Sequence, residues 1–216
     1  VIRKPPTGSP EPHGSKSVRT RGRILDSAAY VLSRKGYAAT RLSDVADHAQ
    51  LQAPSLYYYF SSRDELVEEV MFTAVALMRV HVQAALDALP ADTSAMDRIL
   101  VAVESQLRYE LAVSDYATTS SRNASQLPEH LRARHDNERA AYGSMWRSLI
   151  SDAKRSGELN PAIEIRAARM LVIGAITWAV EWWNPNAGSL DSLVDTARIV
   201  VHNGLRDPAT VVAQTT

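Results

Sequence analysis

The chain has 216 residues, 45% of them hydrophobic, and its 24 Lys/Arg are balanced by 24 Asp/Glu. That is apolar material for one large domain or two smaller ones, and the absence of Cys excludes disulfides, thiolate metal sites and a Cys nucleophile. The zero net charge argues against a polyanion partner only until it is split: residues 1–63 carry ten Lys/Arg and four Asp/Glu, net +6, and residues 64–216 carry fourteen and twenty, net −6, an asymmetry that points to nucleic-acid or membrane contact by one end.

The segment 1–18 is rich in Pro, Gly, Ser and basic residues, cannot bury a core, and is expected to be a flexible arm. It has no apolar h-region, so no leader peptide is expected and the cytoplasm is the expected compartment. From there the periodicity is helical throughout, about nine helices in all. Arg19 to Lys35 reads as the first helix, with Ile24, Leu25, Ala28, Val31 and Leu32 on one face and Gly36 as its stop. Thr40 reads as the N-cap of a short second helix, and Gln52 to Phe60 as a third, started by Pro54. Ser62-Arg63-Asp64-Glu65 is a capping box for a long fourth helix ended by Pro90. Five more helices are expected: from about Ser94 to Val113, Tyr116 to Ser125, Pro128 to Gly157, Pro161 to before Asn184, and Ser189 to Gly204. The residues from 207 on read as a frayed tail. The longest nearly apolar run, Met170 to Val180, falls short of the roughly 18 residues of a membrane span, so no membrane partner is expected.

The second and third helices are each about two turns long and joined by a turn too short for antiparallel packing, which is the geometry of a helix-turn-helix. Leu56 and Phe60, four apart, seat the third helix. Ala53, Ser55 and three successive tyrosines, Tyr57, Tyr58 and Tyr59, are left outward or at the edge. A tyrosine offers a flat ring for thymine methyls and a hydroxyl for phosphate oxygens.

The series Ala39-Thr40-Arg41, Asp44-Val45-Ala46, Ala49-Gln50-Leu51, Ser55-Leu56-Tyr57-Tyr58-Tyr59-Phe60 and Ser62-Arg63-Asp64-Glu65-Leu66 resembles the DNA-binding domain of the TetR family of bacterial transcriptional regulators. The resemblance implies an all-α protein: a three-helix DNA-reading domain over 19–66, then a helical ligand-binding and dimerisation domain over 67–206. It implies a homodimer on double-stranded operator DNA, acting as a repressor released by a small-molecule effector. By position it puts Thr40 and Ser43 at phosphates, Gln52, Ala53 and Ser55 at base edges, Tyr57, Tyr58 and Tyr59 on sugar-phosphate and thymine methyls, and Arg63 at a phosphate. Lys16, Arg19, Arg21 and Arg23 lie where family members touch backbone or minor groove. Each phosphate neutralised should steepen the salt dependence by about 0.9 log units. Gln50 stands where Gly commonly supplies a left-handed turn, and Gln52 where a small capping residue is usual.

In the back half, the helix from Pro161 to Trp183 is apolar almost all round, and the last helix carries Leu190, Leu193, Val194, Ala197 and Val201 on one stripe. These residues, with Trp182 and Trp183, are the expected dimer interface, about 34–36 Å being the separation a dimer would give its two recognition helices. The same stripes could instead close the monomer's own core. Tyr109, Tyr116, Tyr142, Met145, Trp146, Met170 and Trp178 are the candidate effector-pocket residues, though taken singly each is better explained as plain core. The stretch from Leu159 to Pro185 resembles TetR members that govern lipid and steroid catabolism, which implies an acyl-CoA-type or lipid-like effector. Arg122, Arg132, Arg134 and Arg139 are candidates for its phosphates.

An enzyme is the weaker alternative. The six His form no i, i+4 pair, and no Gly-rich phosphate loop or G-x-S-x-G elbow is present, so no catalytic residue, metal or cofactor is expected. A TetR-like adaptor acting through protein partners remains a second alternative, which a basic, exposed third helix would disfavour. The expected mechanism has effector binding move the fourth helix and change the spacing of the two reading heads.

Overall fold

Capping side chains fix the starts of several helices. A computed structural model describes residues 13–113 and 115–207, and among them it has nine α-helices and no strand. They are α1 (His13–Ala39), α2 (Leu42–His48), α3 (Ala53–Tyr59), α4 (Arg63–Asp87), α5 (Ala95–Arg108), α6 (Asp115–Asn123), α7 (Ala133–Arg155), α8 (Ile165–Trp182) and α9 (Leu190–Leu205). A π-helical turn, Tyr109–Val113, continues α5, and a 3-10 turn, Glu129–Leu131, leads into α7. The Oγ atoms of Ser62, Ser94 and Ser189 accept from the backbone N–H of Glu65, Asp97 and Ser192 at 3.0–3.1 Å, each cap contributing about 1 kcal/mol. The Glu65 carboxylate reaches one residue past the cap, accepting from Ser61 N at 2.7 Å and Ser61 Oγ at 2.6 Å.

Several expected boundaries move. Residues 13–18, assigned to the arm, belong to α1, while 1–12 and the tail from 208 lie outside the described residues. Gly36 does break the helical path, at φ 75° and ψ 170°, a conformation only glycine adopts cheaply. Thr40 is not the N-cap of α2. Its hydroxyl turns back to donate to Gly36 O at 2.7 Å, Arg41 takes the cap position, and the Asp44 carboxylate accepts from Arg41 N at 3.3 Å. Gln50 does occupy the left-handed region, at φ 54°. α7 starts at Ala133 rather than Pro128, and α8 at Ile165 rather than Pro161, because Glu164 caps it through Arg166 N and Ala167 N at 2.8 and 2.6 Å.

Two hydrophobic cores form. One joins Ile24, Ala28 and Leu32 of α1 to Val45, Leu56, Phe60 and the first half of α4, with Leu127 and Leu131 reaching in from beyond α6. The other joins Val75 to Leu86 of α4 to α5, α7, α8 and α9 around Ile99, Val103, Trp146 and Ile150. α4 is the shared beam: Leu66, Val67, Val70 and Met71 serve the first core, and Val75, Met78, Val82 and Leu86 the second. Among the described helices it alone reaches the length and apolarity of a membrane span, and its buried residues spend that apolarity on these two cores.

Candidate functional site

α2 and α3 hold their outer faces in solvent. Ser43, Gln52, Ala53 and Ser55 are exposed, and Tyr57 and Tyr58 are 58% and 82% exposed. Tyr59 is the one tyrosine of the triplet that packs on the core, its ring set edge-on to Tyr58 at 5.1 Å. Leu56 and Phe60 are buried, so two apolar contacts fix α3 and leave its remaining side chains outward. An exposed apolar cluster of this kind marks a surface that meets a partner.

Three of the expected phosphate ligands are engaged within the head. Thr40 is 4% exposed and its hydroxyl is committed to Gly36. Arg63 lies on the Tyr37 ring at 4.3 Å, donates from Nε to Thr40 O at 2.9 Å and from Nη2 to Tyr37 O, and pairs with Asp64 at 3.3 Å. It staples the α1–α2 turn to α4, because those carbonyls have lost their helical partners after Gly36. Arg21 pairs with Glu69 at 3.1 Å and lies over Phe60. Lys16, Arg19, Arg23 and Arg41 remain exposed around the same end.

α6 ties this head to the back half. Thr119 Oγ1 donates to Ala29 O at 2.8 Å, Arg34 and Ser33 of α1 donate to Asp115, and Tyr116 OH donates to Asp26 at 3.0 Å. Tyr116, a candidate pocket residue, therefore belongs to this clamp and packs on the first core. Asn123 is fully buried. Its Oδ1 accepts from Tyr37 N at 2.7 Å, and its Nδ2 donates to Thr119 O at 2.9 Å and Leu32 O at 3.4 Å. Asn123→Ala strands the Tyr37 N–H, so we expect a loss of about 2 kcal/mol, read as a fall of about 4–8 °C in thermal melting. An unchanged melting temperature would show that water replaces the amide.

Beside these residues, Ser120 of α6 and Ala124 just past its end line a chamber of about 250 Å³ with Val75, Met78, Gln106, Glu110, Tyr142, Ile173 and Thr177. Arg139, Tyr142 and Ile173 are also walls of a more open vestibule of about 540 Å³ that carries Arg147 and Arg169. Arg169 reaches across α7 to donate to Gly143 O at 3.0 Å, and a Cβ at 143 would stand 2.6 Å from its Nη1. A glycine there is the condition for that arginine's position. Of the four arginines proposed for phosphates only Arg139 lines either space; Arg122 pairs with Glu181 at 3.0 Å, and Arg134 pairs with Glu69 at 2.9 Å. Periodicity gave no hint of Arg147 and Arg169, which come together only through the α7–α8 packing.

Of the other pocket candidates, Tyr142 lines both spaces and Met170 lines the vestibule. Trp146 is fully buried in the second core, Met145 packs against that core, and Tyr109 is buried beside His81, 4.9 Å between ring centroids. Trp178 faces out at 66% exposure. Glu110 is a polar residue the sequence did not single out. It is 8% exposed, its Oε1 accepts from Gln106 at 2.9 Å, and desolvation pushes its carboxyl up to about 7.

The outer face of α8 and α9 also departs from expectation. Leu190, Val194, Ala197 and Val201 pack on the protomer's own second core, because α9 lays that stripe against α5. Trp183 is half-buried, and Leu193 lines an apolar groove of about 220 Å³ between α8 and α9 with Trp182 and Val200. Exposed instead are Leu171, Trp178 and Trp182 on one stripe of α8, flanked by Gly174 and Ala175, with Ile199 and Val200 on α9.

Residues 24–70 match the profile of bacterial regulatory proteins of the tetR family, and residues 92–200 match the tetracyclin repressor-like C-terminal domain. The HTH-type transcriptional repressor KstR2 of Mycolicibacterium smegmatis is 22% identical over 173 residues, 79% of this chain and 82% of the relative. The solved structure of the ketosteroid transcriptional regulator KstR2 of Mycobacterium tuberculosis superposes with a TM-score of 0.74 at 18% identity, over 87% of this chain and 95% of that one. FadR from Bacillus subtilis, solved in complex with stearoyl-CoA, superposes with a TM-score of 0.72 at 17% identity, over 85% and 98%. At these identities the structures share the fold, while the two profile matches cover the head and the body in register. The chain belongs to the TetR family of bacterial transcriptional regulators.

Proposed function

We propose that this regulator is a cytoplasmic repressor that binds a two-fold operator as a homodimer and is released by a small hydrophobic effector of the acyl-CoA type. The observation that carries the effector class is a pair of neighbouring spaces: an apolar chamber that shares the walls Arg139, Tyr142 and Ile173 with a vestibule carrying Arg147 and Arg169. An acyl chain suits the chamber, and a phosphorylated head group suits three guanidinium groups, which bind phosphate by paired donors. The stearoyl-CoA held by the FadR neighbour supports the same class. On the DNA side, Ser43, Gln52, Ala53, Ser55, Tyr57 and Tyr58 form the reading surface, and Lys16, Arg19 and Arg23 supply basic flanking contacts. Thr40, Arg63 and Arg21 hold the head together.

The route between the sites runs through α6 as well as the expected α4. Ser120 and Ala124 touch the chamber, while Thr119 and Asn123 beside them grip α1. An effector that displaces α6 therefore pulls on the reading head, and linkage makes DNA weaken the effector by the same factor.

Fluorescence anisotropy tests this with labelled DNA from upstream of the protein's own gene. Tyr58→Ala should weaken binding by about tenfold or more with no change in melting temperature, since that ring is 82% exposed. Octanoyl-CoA, bound by calorimetry, should release the DNA. A bound octanoyl-CoA that leaves the DNA complex intact would rule out release by this class. Full DNA binding by Tyr58→Ala would favour the adaptor reading of α3.

A further inference from the structure

One wall of the chamber is polar, and the hydrogen bonds from Tyr142 along it run one way, toward Glu110. Tyr142 OH donates to Gln106 Oε1 at 2.6 Å. Gln106 Nε2 then donates to Glu110 Oε1 at 2.9 Å and, more weakly, to Thr177 Oγ1 at 3.4 Å. Tyr142, Gln106, Thr177 and Glu110 are all chamber walls. The series ends on Glu110, which the Thr177 hydroxyl also approaches; its second oxygen, Oε2, is buried and makes no hydrogen bond of ordinary geometry. Glu110 sits in the π-helical turn that ends α5, and such turns, with one residue more than an α-turn, are frequent at functional sites.

A buried polar atom without a partner in a folded protein calls for an explanation, because nearly all such atoms are satisfied. Ser105 Oγ and Trp146 Nε1 are also unpartnered, but neither is a wall of the chamber. We infer that Glu110 is the recognition group for a second polar point on the effector: a hydrogen-bond-accepting oxygen, such as a ketone, carried on the hydrophobic part remote from the charged head group. The inference rests on the chamber being the effector site. The chemistry follows from the direction of the series. Oε1 already receives a donor from Gln106, so the proton of the neutral carboxyl belongs on Oε2, which is then a donor in search of an acceptor. The burial that pushes this carboxyl up to about 7 keeps the neutral form well populated. The charged end of the ligand is accounted for separately, at Arg139 and the vestibule. A fully saturated alkyl tail would leave Oε2 unsatisfied and is the poorer ligand.

Calorimetry with two probes tests this: an acyl-CoA with a plain alkyl tail, and one of equal length ending in a methyl ketone. The wild-type protein should bind the ketone about tenfold more tightly. Glu110→Gln keeps an N–H donor at that position and should keep the preference; Glu110→Leu should abolish or reverse it. Equal binding of the two probes by the wild type, or an undiminished preference in Glu110→Leu, would overturn the inference and leave the chamber as an effector site. Binding of neither probe would remove the chamber reading, and this inference with it.

Discussion

Replacing Trp182 by Glu should leave a folded monomer that has lost its operator. Trp182 is 56% exposed at the end of α8, in line with Trp178 and Leu171, and Val200 of α9 stands across the groove from it. Gly174 and Ala175 between the tryptophan and leucine positions leave room for a second helix, and in the proposed homodimer an isologous two-fold contact would bring the same stripe from another copy. An apolar patch of this extent is seldom left in water by a stable monomer. A carboxylate placed in it is solvated in the free protomer and stripped of water in the dimer, a penalty of several kcal/mol with no cation on the stripe to offset it. DNA affinity then falls because two half-sites are no longer engaged together, and the loss of that effective concentration is worth about a hundredfold or more. Sedimentation velocity reads the mass and anisotropy reads the DNA. Val200→Glu, made separately, should give the same result. Both variants remaining dimeric would place the interface elsewhere.

A second large effect is expected at Glu110, now in stability rather than in recognition. The unfolded chain ionises this carboxyl at its ordinary 4.5, while the folded protein holds the proton to about 7. Folding therefore favours the protonated form. The contribution is intact below about pH 4.5 and is lost as pH rises through 7, because the unfolded state binds fewer protons over that interval. Above it the wild type carries a constant penalty of about 3 kcal/mol relative to a neutral residue. Glu110→Gln removes the titration and keeps an acceptor for Gln106. Urea melts at pH 5 and pH 8 should show the variant gaining stability over the wild type by about 2–3 kcal/mol more at the higher pH. A gap of the same size at both values would mean that this carboxyl ionises freely in the fold.

The helices were legible because their signals are local. Ser62 with Glu65, Ser94, Ser189 and Gly36 act within a turn of themselves, and the positions they mark are the ends observed. The exposure of Tyr57 and Tyr58 was legible too, since two apolar residues suffice to seat so short a helix. What failed needed the neighbours. The stripe of Leu190, Val194, Ala197 and Val201 is real, but periodicity says only that something covers it, and here α5 of the same protomer does. Arg63 looked free because the partners that turn it inward are distant in sequence: Thr40 O and Tyr37 O become available only after Gly36 unwinds α1. Glu110 was passed over because one acidic residue in an amphipathic helix reads as a solvated one. The turn that carries it inward is a π-helical register that no spacing rule announces.

The double duty of α6 limits how such a regulator can change its diet. Ser120 and Ala124 are walls of the chamber, yet Thr119 and Asn123 beside them hold the backbone of α1. A bulkier residue at 120 or 124 would shrink the chamber and, in the same step, push the reading head as the proposed effector would, giving a protein silenced without its signal. Ile173 and Thr177 on α8 border the same space from a helix whose own packing is with α5 and α7. New ligand preferences, whether acquired by descent or by engineering, should therefore arise first on α8, with α6 kept constant as the fixed hand on the switch.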